Sequence, residues 1–540
     1  MLRKLAPMHQ VMQHGGVSVR ADSVGSEVVL GFVGPVGVAN SRFHNAATDR
    51  LRAFGYHPTL IRLSERLDDL KAEGLLTTEL RSEPEFERVR SHMDAGDELR
   101  GLDMPGARGL LAAAAVAKIA SLRLRNPNGQ TKPMPRYAWL ISSLKNPAEV
   151  EVFRRVYGPG FFLIGLFATE AERKKSLERG MTADEAAKLI VRDADSEEKH
   201  GQQTRNTFEL ADVWVKDEDQ LCRFLDLVFG NTFQTPTDDE DGMALAYAAA
   251  LRSSDLSRQV GAAIVSPTGE VLATGRNEVP APGGGQYSPP DEARPTARDC
   301  DVGVDSNTKE RLRIEGEIAE LIERYVRVEF ADLEEALDAE PKKKLTDKLA
   351  QIRRLVSKAL PKTSLRDITE YGRAVHAEMS ALTSAARSGA PVRAATLYCT
   401  TFPCHTCAKH LAAAGIARIV FVEPYPKSKA RDLHADAIVL VGESADKSAL
   451  SELTASLATR RTRFEPFLGV GPRRYFDLFS MKLGTGRSIQ RKDELGNALA
   501  FDPGKASPRI PLATTTYLEE EIEAAGVLED AKELKGKPRP

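Results

Sequence analysis

The sequence predicts an α/β protein made of two domains in series, and three observations predict it. Short apolar runs alternate with segments of helical periodicity over the first 230 residues, the pattern of a parallel sheet with crossover helices. A polar stretch, Gln234 to Asp241 (QTPTDDED), then interrupts that alternation as a linker does. Beyond it, strand and helix signals resume around a cluster of His, Glu and Cys residues. At 540 residues the chain exceeds what one hydrophobic core organises.

Composition excludes several classes. Hydrophobic residues at 42% and charged residues at 28% suit a globular chain, not a disordered one. A net charge of −2 gives no global attraction for nucleic acid or an anionic membrane. No apolar run approaches the ~20 residues of a membrane span. The stretch from Met1 to Ser26 lacks the apolar core of a signal peptide, so a cytoplasmic location is expected. Five cysteines do not make a disulfide framework, yet Cys399, Cys404 and Cys407 cluster, which points to metal or redox chemistry.

In chain order, residues 1–25 are expected as a loose arm and 26–230 as the first domain. Val28 to Val33 (VVLGFV) reads as a buried strand. The turn Gly34-Pro35-Val36-Gly37 follows, then a helix from Ser41 to Phe54. A second helical stretch runs from Gly109 to Leu124. Tyr137–Ser142 and Phe161–Phe167 read as further strands, each followed by a helix, and Ala211–Val215 as the last strand. The second domain is expected over 231–502. It opens with a helix at Met243–Arg252 and two strands around Pro267-Thr268-Gly269. Dense Glu, Lys, Arg and Leu at helical spacing predict a helical insertion at about 306–366 with a solvated charged face. Helix, strand, helix and strand follow at 377–388, 396–400, 407–414 and 418–422. Residues 503–540 read as a polar, partly disordered tail.

Val375-His376-Ala377-Glu378 and Pro403-Cys404-His405-Thr406-Cys407 carry the sharpest chemical signal. Catalytic zinc keeps three protein ligands and leaves a fourth position open, whereas structural zinc is closed by four. Here one His and two Cys supply three. Two thiolates three residues apart face one metal if they sit at a loop-to-helix junction, where the helix N-terminus favours their anionic form. Glu378, two residues after the His, is placed beside the metal as a proton shuttle without ligating it. A structural site would need a second C-x-x-C, which the chain lacks, and a redox pair leaves His376 and Glu378 unexplained. His405 reads as a loop residue, and Cys399 as a buried small hydrophobe.

These paired motifs, with 24 residues between Glu378 and Pro403, resemble the cytidine and deoxycytidylate deaminase superfamily, whose zinc signature is H-x-E with P-C-x-x-C. The resemblance implies a cytidine deaminase-like α/β/α domain in which zinc activates water for attack on C4 of a cytosine ring. Glu378 then carries the protons. Arg252-Ser253 to Ala262 resembles the first helix and strand of deoxycytidylate deaminases, and Gly275-Arg276-Asn277 their G-x-N segment. By resemblance Asn277 binds the sugar, while Arg252 and Ser253 approach the phosphate. Tyr425, after the strand at 418–422, is a candidate for stacking on the nucleotide.

Gly34 to Ser41 also follows a strand and opens a helix, the context of a phosphate loop. It resembles Walker A at Gly34 and Ser41 but departs at Ala39 and at Asn40, which replaces the lysine. Gly34, Gly37, Asn40 and Ser41 are the candidate contacts for ATP, GTP or another nucleotide with Mg²⁺. A P-loop NTPase-like, nucleotide-kinase-like domain ahead of a deoxycytidylate deaminase domain resembles the bacterial anti-phage dCTP deaminases. That resemblance implies deamination of dCTP or dCMP to starve viral DNA synthesis. It further implies a homo-oligomer, with a small RNA as inhibitor in some members. The alternatives are a polynucleotide-editing deaminase and a nucleotide- or RNA-sensing regulator with a structural zinc.

Overall fold

The computed structural model describes residues 26–123, 132–194, 201–289, 295–329, 339–363, 365, 370–423, 428–441, 460–512 and 516–536. The expected arm at 1–25 and Tyr425 lie outside them. The chain divides into two compact units, Met1–Thr235 with Gly469–Pro540, and Pro236–Leu468. Among the described residues no helix is long and apolar enough to cross a membrane.

The first unit holds strands β1 (Val28–Val33), β2 (His57–Arg62), β3 (Tyr137–Ser142), β4 (Phe161–Leu166), β5 (Val213–Val215) and, in chain order after those of the second unit, β12 (Gly469–Val470). Their order across the sheet is β12-β5-β4-β1-β3-β2. The five N-terminal strands run parallel, and β12 adds an antiparallel edge at Val213 and Trp214. Every residue of β1, β4 and β5 is buried, as expected of central strands covered on both faces. Helices start where the sequence supplies caps: Asn146 with Glu149, and Thr169 with Glu172, form capping boxes.

The C-terminal stretch departs from expectation. Residues 469–502, assigned above to the second domain, belong to the first unit, and the polar tail contains the helix Thr516–Gly536. That helix packs on the Leu110–Leu122 helix and buries Tyr517, Leu518, Ala524, Leu528 and Ala531. Glu521 is held by Arg123 (2.6 Å) and by the Tyr157 hydroxyl (2.9 Å), with Arg123 also paired to Glu27. Many glutamates disguised this helix, because its fixed carboxylate is neutralised by an arginine nearly 400 positions earlier.

The second unit is a mixed sheet in the order β10-β11-β9-β8-β6-β7. Its strands are β6 (Gly261–Val265), β7 (Val271–Arg276), β8 (Thr396–Thr401), β9 (Arg418–Glu423), β10 (Ile438–Leu440) and β11 (Thr462–Pro466). Strands β8, β9, β11 and β10 run parallel, while β6 is antiparallel to both β7 and β8. Two glycines on adjacent strands let helices approach. A Cβ on Gly261 would lie 1.9 Å from the Ala246 carbonyl of the Asp238–Ala250 helix. One on Gly275 would lie 2.2 Å from the Ala377 carbonyl of the Ala377–Ser388 helix. Gly261 pairs with Arg276, the neighbour of Gly275, so alternation puts the two contacts on opposite faces of the sheet. The insertion consists of helices Ser306–Glu329 and Ala339–Ala359, bridged by Arg353 to Glu320 and Glu323.

Candidate metal centre and cavity

Two helix N-termini meet at the site. His376 is the N-cap residue of Ala377–Ser388, and Cys404 that of His405–Ala413, where its sulfur accepts the Cys407 N–H at 3.4 Å. The His376 Nδ1 lies 3.4 Å from Cys404 Sγ and 3.5 Å from Cys407 Sγ. These three ligand atoms all lie within 4.8 Å of one another, the one such group among the described residues. A tetrahedral zinc with ordinary Zn–S and Zn–N lengths separates S from N by ~3.6 Å, so the donor set and its spacing fit that ion. His405 opens its helix and is not part of this group.

The electrostatics favour a thiolate here. Hydrogen bonding from the Cys407 thiol, with His376 adding its own, holds Cys404 down to about 4 against the cost of burial. His376 is raised to about 9 by its hydrogen bond with Cys404. Cys407 moves the opposite way from Cys404 because the two thiols share one proton. This pair surrenders its first proton readily, as a metal ligand must. Glu378 is 4% exposed on the first turn after His376, and burial raises its carboxyl above the usual range. Cys399 is buried in the core behind, as expected.

A cavity of about 540 Å³ opens over these residues, lined by His376, Glu378 and Cys404. Asn277 also lines it, but its carboxamide is engaged: Oδ1 accepts the Val260 N–H (2.7 Å) and Nδ2 donates to the Arg258 carbonyl (2.8 Å). Ser253 is buried, does not line the cavity, and donates to the Asn277 carbonyl at 2.7 Å. Arg252 is exposed and outside the lining as well. The described structure thus gives Ser253 a supporting role for the Asn277 turn. Sequence reasoning missed Asp255, Arg258, Thr308, Arg311 and Arg373, which line the cavity. Thr308 and Arg311 come from the start of the insertion, whose charge pattern concealed their position.

In the first unit, Gly34 to Asn40 forms the turn between β1 and the Asn40–Ala53 helix, with Gly37 at φ +91. Its polar groups meet the chain's own side chains. The Asp193 carboxylate accepts the Val36 N–H (2.8 Å), and Lys145 donates to Asp193 and to the Gly34 carbonyl, both at 2.7 Å. Asn40 Oδ1 is buried without a partner, and Ser41 is exposed.

Residues 236–423, within the second unit, match the family described as the cytidine and deoxycytidylate deaminase zinc-binding region. Over 55 residues, 10% of the chain, it is 46% identical to the deoxycytidylate deaminase of Enterobacteria phage T2, spanning 29% of that protein. Over 88 residues, 16% of the chain, it is 30% identical to ComE operon protein 2 of Bacillus subtilis (strain 168), spanning 45% of it. The chain therefore spans less than half the length of these curated relatives. The crystal structure of the apo dCMP deaminase from cyanophage S-TIM5 aligns with 43% of this chain and 99% of its own, at 15% identity and a TM-score of 0.20. A likeness that slight carries no weight.

Proposed function

We propose that the second unit removes the 4-amino group of a deoxycytidine nucleotide by hydrolysis, turning dCTP or dCMP into the deoxyuridine nucleotide and ammonia. One observation carries this reading: His376 Nδ1, Cys404 Sγ and Cys407 Sγ converge beside buried Glu378 at a cavity large enough for a nucleotide. Zinc held by His376, Cys404 and Cys407 would supply a Lewis acid and water acidified toward neutral pH. Glu378 would take one proton from the attacking water and give it to ring nitrogen N3, then take the second from the oxygen newly bonded to C4 and give it to the amine, so that the C4–N bond breaks and ammonia leaves. Asn277, fixed by the backbone of 258–260, presents its remaining polar capacity to the sugar. Arg258, Arg311 and Arg373 line the same cavity and suit the phosphates. The test is to incubate the zinc-loaded chain with dCTP, dCMP, CTP and deoxycytidine and follow ammonia and uracil products. Glu378→Gln is expected to keep its zinc and lose about 10²–10⁴-fold in rate. Absence of turnover on all four substrates with zinc bound would refute the reading.

The resemblance to anti-phage dCTP deaminases extends the proposal to dCTP depletion during infection. A phage-plating assay comparing the chain with its Glu378→Gln variant tests it, equal plating being the negative result. We further infer that the first unit binds a nucleotide at the loop from Gly34 to Ser41. The loop sits at the C-terminal end of central β1, where the chain's path through the sheet switches direction, the usual ligand position in open α/β sheets. Lys145 brings there the cation that Asn40 lacks, but a phosphate must displace Asp193. Binding of labelled ATP or GTP that is insensitive to Lys145→Met would count against this site.

A further inference from the structure

Within the first unit, the segment 487–509 faces Phe229, Gly230 and Thr232 across a second cavity of about 480 Å³. It is separate from the Gly34–Ser41 loop, none of whose residues line it. Two arginines form part of its wall. Arg509 is 2% exposed; its Nη1 donates to the Leu478 carbonyl and its Nη2 to the Ser480 carbonyl, both at 2.6 Å. Its Nε is buried and has no partner. Arg487 donates through Nη2 to the Ser507 and Pro508 carbonyls (2.8 and 2.7 Å) and to the Ser507 hydroxyl, and its Nε is likewise buried and unpartnered.

Neither guanidinium is ion-paired with a carboxylate among the described residues. Asp477 attracts Arg509 from a distance, but its oxygens accept from Thr485 and Arg474. Asp502, at the cavity, pairs with Lys505 at 3.4 Å. Burial, with the charge of Arg487 added, pushes Arg509 below the ordinary guanidinium range. Backbone carbonyls satisfy some of the donors, yet they do not cancel the charge of buried Arg509 with the half-buried Arg487 beside it. A cavity lined by two such groups calls for an anion.

We propose that this cavity binds the phosphate of a small phosphorylated metabolite. A phosphate offers several acceptor oxygens to the guanidinium groups of the wall, to Lys505, and to the hydroxyls of Ser488 and Ser507, more donors than the two oxygens of a carboxylate employ. Ile489, Leu499 and Phe501 supply an apolar wall for the body of the ligand. The site is independent of the zinc chemistry proposed above.

The test uses the full chain with its zinc. Calorimetry and thermal melts are run with inorganic phosphate, with AMP and with adenosine, against chloride at equal ionic strength. AMP separates a phosphorylated metabolite from free phosphate, and adenosine isolates the body without the charge. Phosphate and AMP are expected to bind and raise Tm beyond chloride, with AMP the tighter, and adenosine is expected to do neither. Arg487→Gln is expected to weaken AMP by at least about tenfold, what one charge-assisted hydrogen bond contributes. Ser488→Trp, made at an exposed position on the lining, blocks the cavity without touching the arginines and decides the matter if Arg487→Gln does not fold. Binding no stronger than chloride, or AMP binding unchanged in Ser488→Trp, overturns the proposal.

Discussion

Giving Gly275 a methyl group places a carbon 2.2 Å from both the Ala377 carbonyl oxygen and the Ala381 amide nitrogen. Backbone occupies both positions, so no side chain can swing away, and the Ala377–Ser388 helix must retreat by roughly 1 Å to reach ordinary contact. That helix begins at His376 and carries Glu378. Overpacking of this kind costs about 1–3 kcal/mol, or about 2–10 °C in Tm for a unit of this size. The chemical penalty is larger, because a 1 Å misplacement of a reacting group costs on the order of 10²-fold in rate. Gly275→Ala is therefore expected to lose most deamination while still folding, with zinc bound more weakly. The assay is zinc per chain, kcat/KM on dCTP and dCMP, and a thermal melt. Gly316→Ala is the control: no atom lies within 4 Å of its added carbon, and within a helix the change is expected to stabilise by about 0.5–1 kcal/mol. Wild-type zinc content and rate in Gly275→Ala would refute the claim that close strand–helix contact sets the site.

Three further outcomes are expected. Cys407→Ser should lower zinc per chain and activity together, measured by metal analysis of dialysed protein; activity retained without metal would remove the zinc assignment. Asp193→Ala should lower the melting temperature, because it strands Lys145 and the Val36 N–H in a largely buried setting; removing one partner of a fully buried pair costs about 3–5 kcal/mol, and the partial exposure of Lys145 reduces that figure. Glu98 provides a pH test. Burial opposes its charge, but N–H groups of Thr77 and Thr78 outweigh that and hold it down to about 2 from 4.5. A carboxyl depressed on folding stabilises above its unfolded pKa, so this contribution is present above pH 4.5 and lost as pH falls toward 2. Glu98→Gln should flatten the acid limb of stability over that window, and an unchanged slope would show that Glu98 is not held as described.

Much of the site was legible because its chemistry resides in residue types and short spacings. His376, Glu378, Cys404 and Cys407 announce a three-ligand metal centre wherever they are placed on two helix starts, and the helix starts were themselves readable. Asn277 was readable as a member of a turn, but its carboxamide also clamps the backbone of 258–260, and only packing reveals that. The insertion looked like a solvated hairpin; the first two turns of its Ser306–Glu329 helix nonetheless bring Thr308 and Arg311 to the cavity, a placement that charge periodicity does not encode.

By itself the sequence determined the alternation of strands and helices and the candidate metal-ligand set, since each depends on local periodicity or the chemistry of neighbouring residues. Tertiary structure alone decided that the C-terminal helix returns to the first unit, that Asp193 and Lys145 occupy the Gly34 loop, and that Arg487 and Arg509 share a cavity. The first two join residues far apart in the chain, where a charge is buried beside an opposite partner, and the third sets two like charges side by side. Which groups meet depends on how the folded backbone passes, and no spacing along the sequence records it.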